Sequence, residues 1–521
     1  MVFDFQSFLS SNLFYILLVN FVLICILLIL NIRDIASLFK KIKIHVWIAF
    51  ILIFVFGSYL RFASPGCGAH DGLCWDYVKT SVNMLEGQPV EDFWHPKGYS
   101  LLMTIGFFFF DSAYNTILYL NLVFSSLTIF IVFLLAYILF KREDVALFSS
   151  LIYSLFPMPI LYAKSNVSEL TSVFFITLTV LVYLISLRLE KRSLYLLSFL
   201  LLVFSLHMRT DNSIFVPLFI IGFILNRNKF QIKKLMIPLV IFLVFMIPVS
   251  YYYIIGDDTY GPSRDPHYEE RPTTFSLGYL IPNIQHHLSA NLAEPGVYPT
   301  ILYVFLLFSL LFVLKERNII FPVSWIILFF LFYGLYWATL YTSPQLYQLT
   351  LQPALAILMG YGIFKAKNLG ERVIENMSSL KIPYVVKSAG VFVILLLILF
   401  LFHSSTNVFA LEKQDCLIEH IIYFGGYVGD DDCLLIENSH SNYCMCSPIM
   451  VMKILLPDKY INMSLPGCEN RDGVYYLYIN HKMCDTTFFG YERLIFGQLE
   501  KEHTLEIVEE RGCVSLYKIG G

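Results

Sequence analysis

Apolar runs of membrane length follow one another along this 521-residue chain, separated by short polar stretches. A helix needs roughly 20 apolar residues to cross about 30 Å of hydrocarbon. Runs of this kind fall near 12–31, 45–62, 115–140, 145–163, 170–188, 194–207, 213–226, 235–253, 300–315, 318–340, 348–364 and 388–410. They predict an all-α polytopic membrane bundle of about twelve transmembrane helices. The runs at 194–207 and 213–226 are short, which predicts a hairpin or a bent pair. Residues 98–110 are apolar but too few to cross, and predict a helix lying in the interface.

The polar stretches orient the bundle. Lys and Arg concentrate in cytoplasmic loops, and basic clusters occur at 33–43, 141–142, 188–192, 227–234, 315–317 and 365–387. With the runs above, all of them fall on one side. The loops at 63–114 and 254–299, both termini and everything after residue 410 then lie on the other, extracytoplasmic side. Hydropathy drops after 410, where strand-like runs at 433–439, 473–480 and 504–510 alternate with helical patterns at 417–428 and 448–456. Two domains are therefore expected: residues 1–410 in the membrane, and 411–521 as a small soluble α/β unit on the outer face.

Composition agrees. The chain is 57% hydrophobic and only 14% charged, against about 25% charged in soluble domains. A net charge of −3 argues against nucleic acid as a partner. Of ten cysteines only Cys25 falls within a run; the other nine sit on the expected outer face, as suits disulfides in an oxidising compartment. Cys67 and Cys74 are close enough in sequence to staple the start of the first long loop. The first residues carry Asp4 and no Lys or Arg before a run of span length, so the first span is expected to be retained and not cleaved as a signal.

That first long loop is where the polar chemistry gathers. Asp71, with His70 beside it, precedes a stretch in which Leu73, Tyr77, Val78, Val82 and Leu85 recur at helical spacing. Gly87 is placed to end this helix. Asp71 reads both as the helix N-cap and as a carboxylate able to deprotonate an acceptor hydroxyl or organise a phosphate through a metal, and the two readings are compatible. His95 and Lys97, in HPKGYS at 95–100, are candidates for a lipid phosphate, although Lys97 also reads as a side chain snorkelling to headgroups. Arg209 and Asp211 stand at the end of a run, where an ionisable group is a site hypothesis by default. Their alternative is a mutual ion pair. The 254–299 loop is long enough to be a lid and offers Arg264 and Arg271 for phosphate. His286 and His287 also lie in it, but adjacent helical histidines point apart and make a poor metal pair. Sequons at Asn166, Asn376 and Asn462 are weak signals.

Taken in order, these pieces resemble a known family. Asp71 followed by WDYV at 75–78, Met84 and Gly87, then HPKGYSLL at 95–102, is similar to the first outer loop of the GT-C glycosyltransferases. The nearest group is the protein mannosyltransferases and aminoarabinose transferases. Residues 139–170 resemble that group's second and third spans, HMRTDN at 207–212 its Arg-acid outer turn, and 343–363 its late span. The resemblance covers about residues 45–365. It implies a many-helix fold with its site on the outer face, a polyprenyl-phosphate sugar donor, and an acceptor that is protein, lipid or glycan. By position it implies Asp71 as the main acid and Glu169 as the second, although Glu169 also reads as an ordinary helix start after Ser168. Many relatives carry an Arg in the late span where this chain has Gln345, Tyr347 and Gln348, so Tyr347 and Gln348 become substrate-contact candidates and the phosphate grip shifts to other cations. No cofactor is indicated with certainty; a divalent metal stays open, because Asp71 lacks the Asp-x-Asp partner of metal-binding relatives.

The leading expectation is an enzyme that transfers a sugar from a lipid phosphate. A transporter or flippase for a lipid-linked saccharide is the alternative; such proteins usually bury ions near the midplane and show repeated halves. Here the mid-span positions are almost purely apolar and the charge crowds one face. A receptor-like membrane protein would leave the acidic loop unexplained.

Overall fold

A computed structural model of the chain describes residues 5–64, 74–90, 96–110, 113–165, 167–225, 232–260, 275–293, 301–336 except 314, and 347–377. Beyond these it describes residues 423–436 except 425 and 430, together with 460–462, 468, 474–479, 504–511 and 514–520. The expected span at 388–410 lies outside the described residues, as do most of the expected helices at 417–428 and 448–456.

The apolar runs become helices α1 (Phe5–Ser37), α2 (Ile44–Phe62), α5 (Ala113–Phe140), α8 (Ser168–Leu189), α9 (Arg192–Met208), α10 (Val216–Leu225), α11 (Ile232–Tyr260), α13 (Ile301–Leu310), α14 (Ile320–Leu335) and α15 (Gln352–Met377). Among the described residues six helices are long and apolar enough to cross a membrane singly. A seventh crossing is a bent pair, α6 (Glu143–Leu155) and α7 (Pro157–Leu161), which Pro157 breaks by removing a backbone donor. The short runs at 194–207 and 213–226 are α9 and α10, joined by a 3₁₀ turn, Thr210–Phe215. Two further helices lie in the first loop: amphipathic α3 (Cys74–Leu85), and α4 (Gly98–Gly106) where an interfacial helix was expected. In the 254–299 loop α12 (Leu280–Ala293) forms.

Helix α8 is apolar all round and buried along most of its length, between α5 and α9. Its Thr177 and Thr179 hydroxyls return to the carbonyls of Val173 and Phe175, leaving no polar burden in the core. Arg61, near the end of α2, is fully buried, and its sequence neighbours gave no hint of why. It donates to Ser154 O (3.0 Å), Tyr153 O (3.2 Å), Gly57 O (2.9 Å) and Ser125 Oγ (2.8 Å). Two of those carbonyls belong to the last turn of α6, at the break before Pro157, where Tyr153 O also accepts from the Phe156 amide.

The basic turns meet at one end of the bundle. Lys191 pairs with Asp34, Lys367 with Asp144 at 3.0 Å, and Lys365 with Glu316 at 3.0 Å. The Lys43 amide donates to Glu143, Lys234 reaches Glu190 O, Arg188 reaches Ile138 O, and Arg317 reaches Leu225 O. These links join five of the six basic clusters read from the sequence to other elements at the same end, and the sixth, 141–142, stands beside Glu143 and Asp144, which accept two of them.

In the tail the three strand-like runs appear as β1 (Cys433–Ile436), β3 (Val474–Ile479) and β4 (Thr504–Arg511), joined by β2 (Tyr460–Asn462) and β5 (Val514–Gly520). The sheet order is β2-β1-β3-β5-β4, with β1 parallel to β2 and β3, and β5 antiparallel to β3 and β4. A disulfide joins Cys433 to Cys468.

Candidate active site

At the end of the bundle away from the basic turns, α9 stops at Met208 and the chain turns through Arg209 and Asp211 into α10. Asn212 locks this turn by donating to Ser172 Oγ and Ser205 O, both at 2.7 Å. Arg209 then sits in a network of its own. Its Nε donates to both Asp211 carboxylate oxygens (3.0 and 3.1 Å) and its Nη2 to Oδ2 (2.8 Å), a side-on fork. Its Nη1 donates to Glu169 of α8. Tyr333 of α14 donates its hydroxyl to Asp211. The Tyr347 ring lies 5.5 Å from the guanidinium carbon and 4.8 Å from the Tyr333 ring.

The Arg209, Glu169 and Asp211 side chains are only 16%, 12% and 14% exposed, so this is no surface ion pair. Burial works against the Arg209 charge, and the Asp211 and Glu169 carboxylates outweigh it, holding the guanidinium above its ordinary range. The mutual pairing read from sequence for Arg209 and Asp211 is present, and Glu169 joins it.

Elements of the first loop close around the same place. Gly98 opens α4 directly against the end of α9; a Cβ there would stand 2.6 Å from His207 O. Only glycine permits this approach, and it brings buried Lys97 beside the Arg209 turn. The α3 residue Tyr77 shares a 3.3 Å hydrogen bond with Ser168, the neighbour of Glu169. Asn121 of α5 fixes the segment just before: its amide donates to Ser165 O and Val167 O (both 2.6 Å), and its oxygen accepts from Thr171.

A second layer comes from the 254–299 loop. Asn283 of α12 donates to the carbonyls of Tyr333 (3.1 Å), Gly334 (3.0 Å) and Tyr336 (2.8 Å), clamping the end of α14. Gln348 meets His287 Nδ1 at 3.1 Å, and burial, with His286 beside it, pushes that imidazole down to about 4. Among the described residues no three His, Cys, Asp or Glu side chains converge as metal ligands.

Of the residues singled out in sequence, Glu169, Arg209, Asp211 and Tyr347 come together, Lys97 adjoins their turn, and Gln348 lies one residue behind Tyr347. His70, Asp71, His95, Arg264 and Arg271 lie outside the described residues. Sequence reading missed Tyr333, Asn283 and Asn121. For Tyr333 and Asn121 the signal available was a polar side chain inside an apolar run, though it did not name their partners.

The sequence model of the dolichyl-phosphate-mannose-protein mannosyltransferase family matches residues 94–252, a segment that contains Lys97, Glu169, Arg209 and Asp211. In fold the chain is similar to ArnT from Cupriavidus metallidurans. The undecaprenyl-phosphate-bound form is 11% identical with a TM-score of 0.56, covering 91% of this chain and 98% of that one. The apo form is 10% identical with a TM-score of 0.54, covering 90% and 97%. The Archaeoglobus fulgidus oligosaccharyltransferase in complex with Zn and sulfate is also similar, at 10% identity and a TM-score of 0.52, covering 90% and 72%. No curated protein matches in sequence. Over residues 94–252 the chain is thus similar in sequence to the dolichyl-phosphate-mannose-protein mannosyltransferases, and its fold is similar to that of these solved glycosyltransferases.

Proposed function

We propose that this chain transfers a sugar from a polyprenyl-phosphate donor to an acceptor on the extracytoplasmic face. The observation that carries the reading is the Arg209–Asp211–Glu169 cluster. It lies within the mannosyltransferase-like segment, at the end of the bundle opposite the basic turns. Basic turns mark the cytoplasmic side, so the cluster, the first loop, both termini and the 411–521 domain face outward. The disulfide in that domain suits the same side. Residues 1–410 form the catalytic unit. The acceptor hydroxyl attacks the anomeric carbon, gives its proton to a carboxylate, and the bond from that carbon to the donor phosphate oxygen breaks. Asp71 serves as the base and Glu169 as the second acid. Lys97, Arg209, Arg264 and Arg271 are the cations for the departing phosphate, with His70, His95, Tyr347 and Gln348 as further substrate contacts. In the family's oligosaccharyltransferase structure zinc is bound; a divalent metal here would supply a further positive charge at the phosphate.

The test is donor turnover by purified protein in nanodiscs, alongside mass spectrometry of lipid-linked sugars and glycans with and without the gene. Wild type is expected to release polyprenyl phosphate, and Asp71→Asn to lower the rate about 10²–10⁴-fold. Full activity in Asp71→Asn removes that residue from its role. Translocation of the intact lipid-linked sugar without transfer establishes the flippase alternative instead.

A further inference from the structure

The two carboxylates on Arg209 are not held alike. Asp211 occupies the guanidinium's side-on edge through Nε and Nη2 and also receives the Tyr333 hydroxyl. Its short side chain lies in a turn that Asn212 locks. Glu169, one methylene longer, has a single hydrogen-bond partner among the described residues, Arg209 Nη1. It stands in the first turn of α8, with no second anchor among the described residues. Tyr347 covers one face of the guanidinium. An incoming anion therefore has one edge to claim, and Glu169 is on it.

Charge leads to the same place. One guanidinium faces two carboxylates in a largely buried setting, so a phosphate added to the intact cluster would place three anions around one cation. Repulsion among buried like charges makes that arrangement unfavourable. Exchange of one anion for another keeps the count at two.

We propose that Glu169 is a displaceable counter-ion: a phosphate-ester oxygen takes its place on the Nη edge of Arg209 and releases the carboxylate. Asp211 and the two tyrosines keep the guanidinium plane fixed while the exchange occurs. The freed carboxylate remains next to Ser168, which Tyr77 ties to the helix following the Asp71 loop. This rests on the donor reading above and adds a role for Glu169 that the reading does not contain.

Binding of polyprenyl phosphate in nanodiscs and of inorganic phosphate in solution tests it without requiring turnover. Glu169→Gln is expected to bind polyprenyl phosphate at least about tenfold tighter than wild type, while Asp211→Asn, which loosens the fixed side of the fork, gains nothing. Unchanged or weaker binding by a folded Glu169→Gln protein overturns the exchange and leaves the donor reading standing. Gain for inorganic phosphate alone supports the exchange and removes the lipid donor. Failure of all proteins to bind either probe overturns both. If Glu169→Gln does not fold, Glu169→Asp, too short to span the same distance, is expected to tighten binding in the same direction, and its failure to do so counts against the exchange.

Discussion

Tyr77 and Ser168, ninety-one residues apart, meet hydroxyl to hydroxyl at 3.3 Å. Through this contact α3 is tied to the helix that presents Glu169. Tyr77→Phe is expected to cost about 1 kcal/mol of stability and to reduce transfer more than the small change in melting temperature would suggest. Thermal unfolding in detergent and a donor-turnover assay on the same preparation measure the two effects.

Arg209 holds two largely buried carboxylates. Removing it leaves both unpaired, so Arg209→Ala is expected to destabilise the protein by about 3–5 kcal/mol. Arg209→Lys keeps the charge but loses the planar fork on Asp211, and should recover part of the stability and little of the activity. Recovery of full activity by lysine would show that the fork geometry is immaterial.

Tyr333 contributes one hydroxyl to Asp211. A hydrogen bond to a charged group is worth about 1.5–3 kcal/mol, and Tyr333→Phe should lose an amount in that range. Because the Tyr333–Tyr347 ring packing survives the change, the bundle is expected to stay folded, with the loss appearing mainly as a raised KM for the donor.

His287 gives a pH signature. Its pKa falls from the ordinary value of 6.5 to about 4 on folding, so between these values the unfolded chain binds more protons than the folded one. Stability from the neutral imidazole is complete above about pH 6.5 and is lost as pH falls toward 4. Wild type minus His287→Gln melting curves across that window should show the decline, and parallel curves would remove His287 as its source.

Gly98 has no room for a methyl group against His207. Gly98→Ala is expected to push α4 from the end of α9 and shift Lys97 away from the Arg209 turn. Transfer should fall while the basic end of the bundle stays intact, which cysteine cross-linking at Lys191 and Asp34 can report.

The spans were legible because a bilayer imposes length and apolarity on each one, and α1, α2, α5 and α8 follow their runs within a few residues. Strand runs in the tail were equally readable from their alternation. Arg209, Asp211 and Glu169 were legible as charges next to spans, but which would pair with which depends on how α8, α9 and α14 pack. Tyr333 looks like ordinary core in an aromatic run, and its hydroxyl acquires meaning only from Asp211 across the bundle. Asn283 and Asn121 escaped for a related reason: their partners are backbone carbonyls freed where helices end, and local sequence does not mark those. The break at Pro157 was not read from the run at 145–163, and nothing near Arg61 said that it would reach the carbonyls of that turn.

Arg61 deserves a last consequence. Every partner it has among the described residues is neutral, two carbonyls of α6, one of α2 and a serine hydroxyl. Unlike Arg209, whose charge is outnumbered by its carboxylates, Arg61 carries a positive charge that no acid among the described residues pairs. Low-dielectric surroundings let such a charge act over distances at which water would have screened it. A standing electrostatic field thus favours anions at the site end of the bundle before any ligand arrives, and it is built from a helix cap.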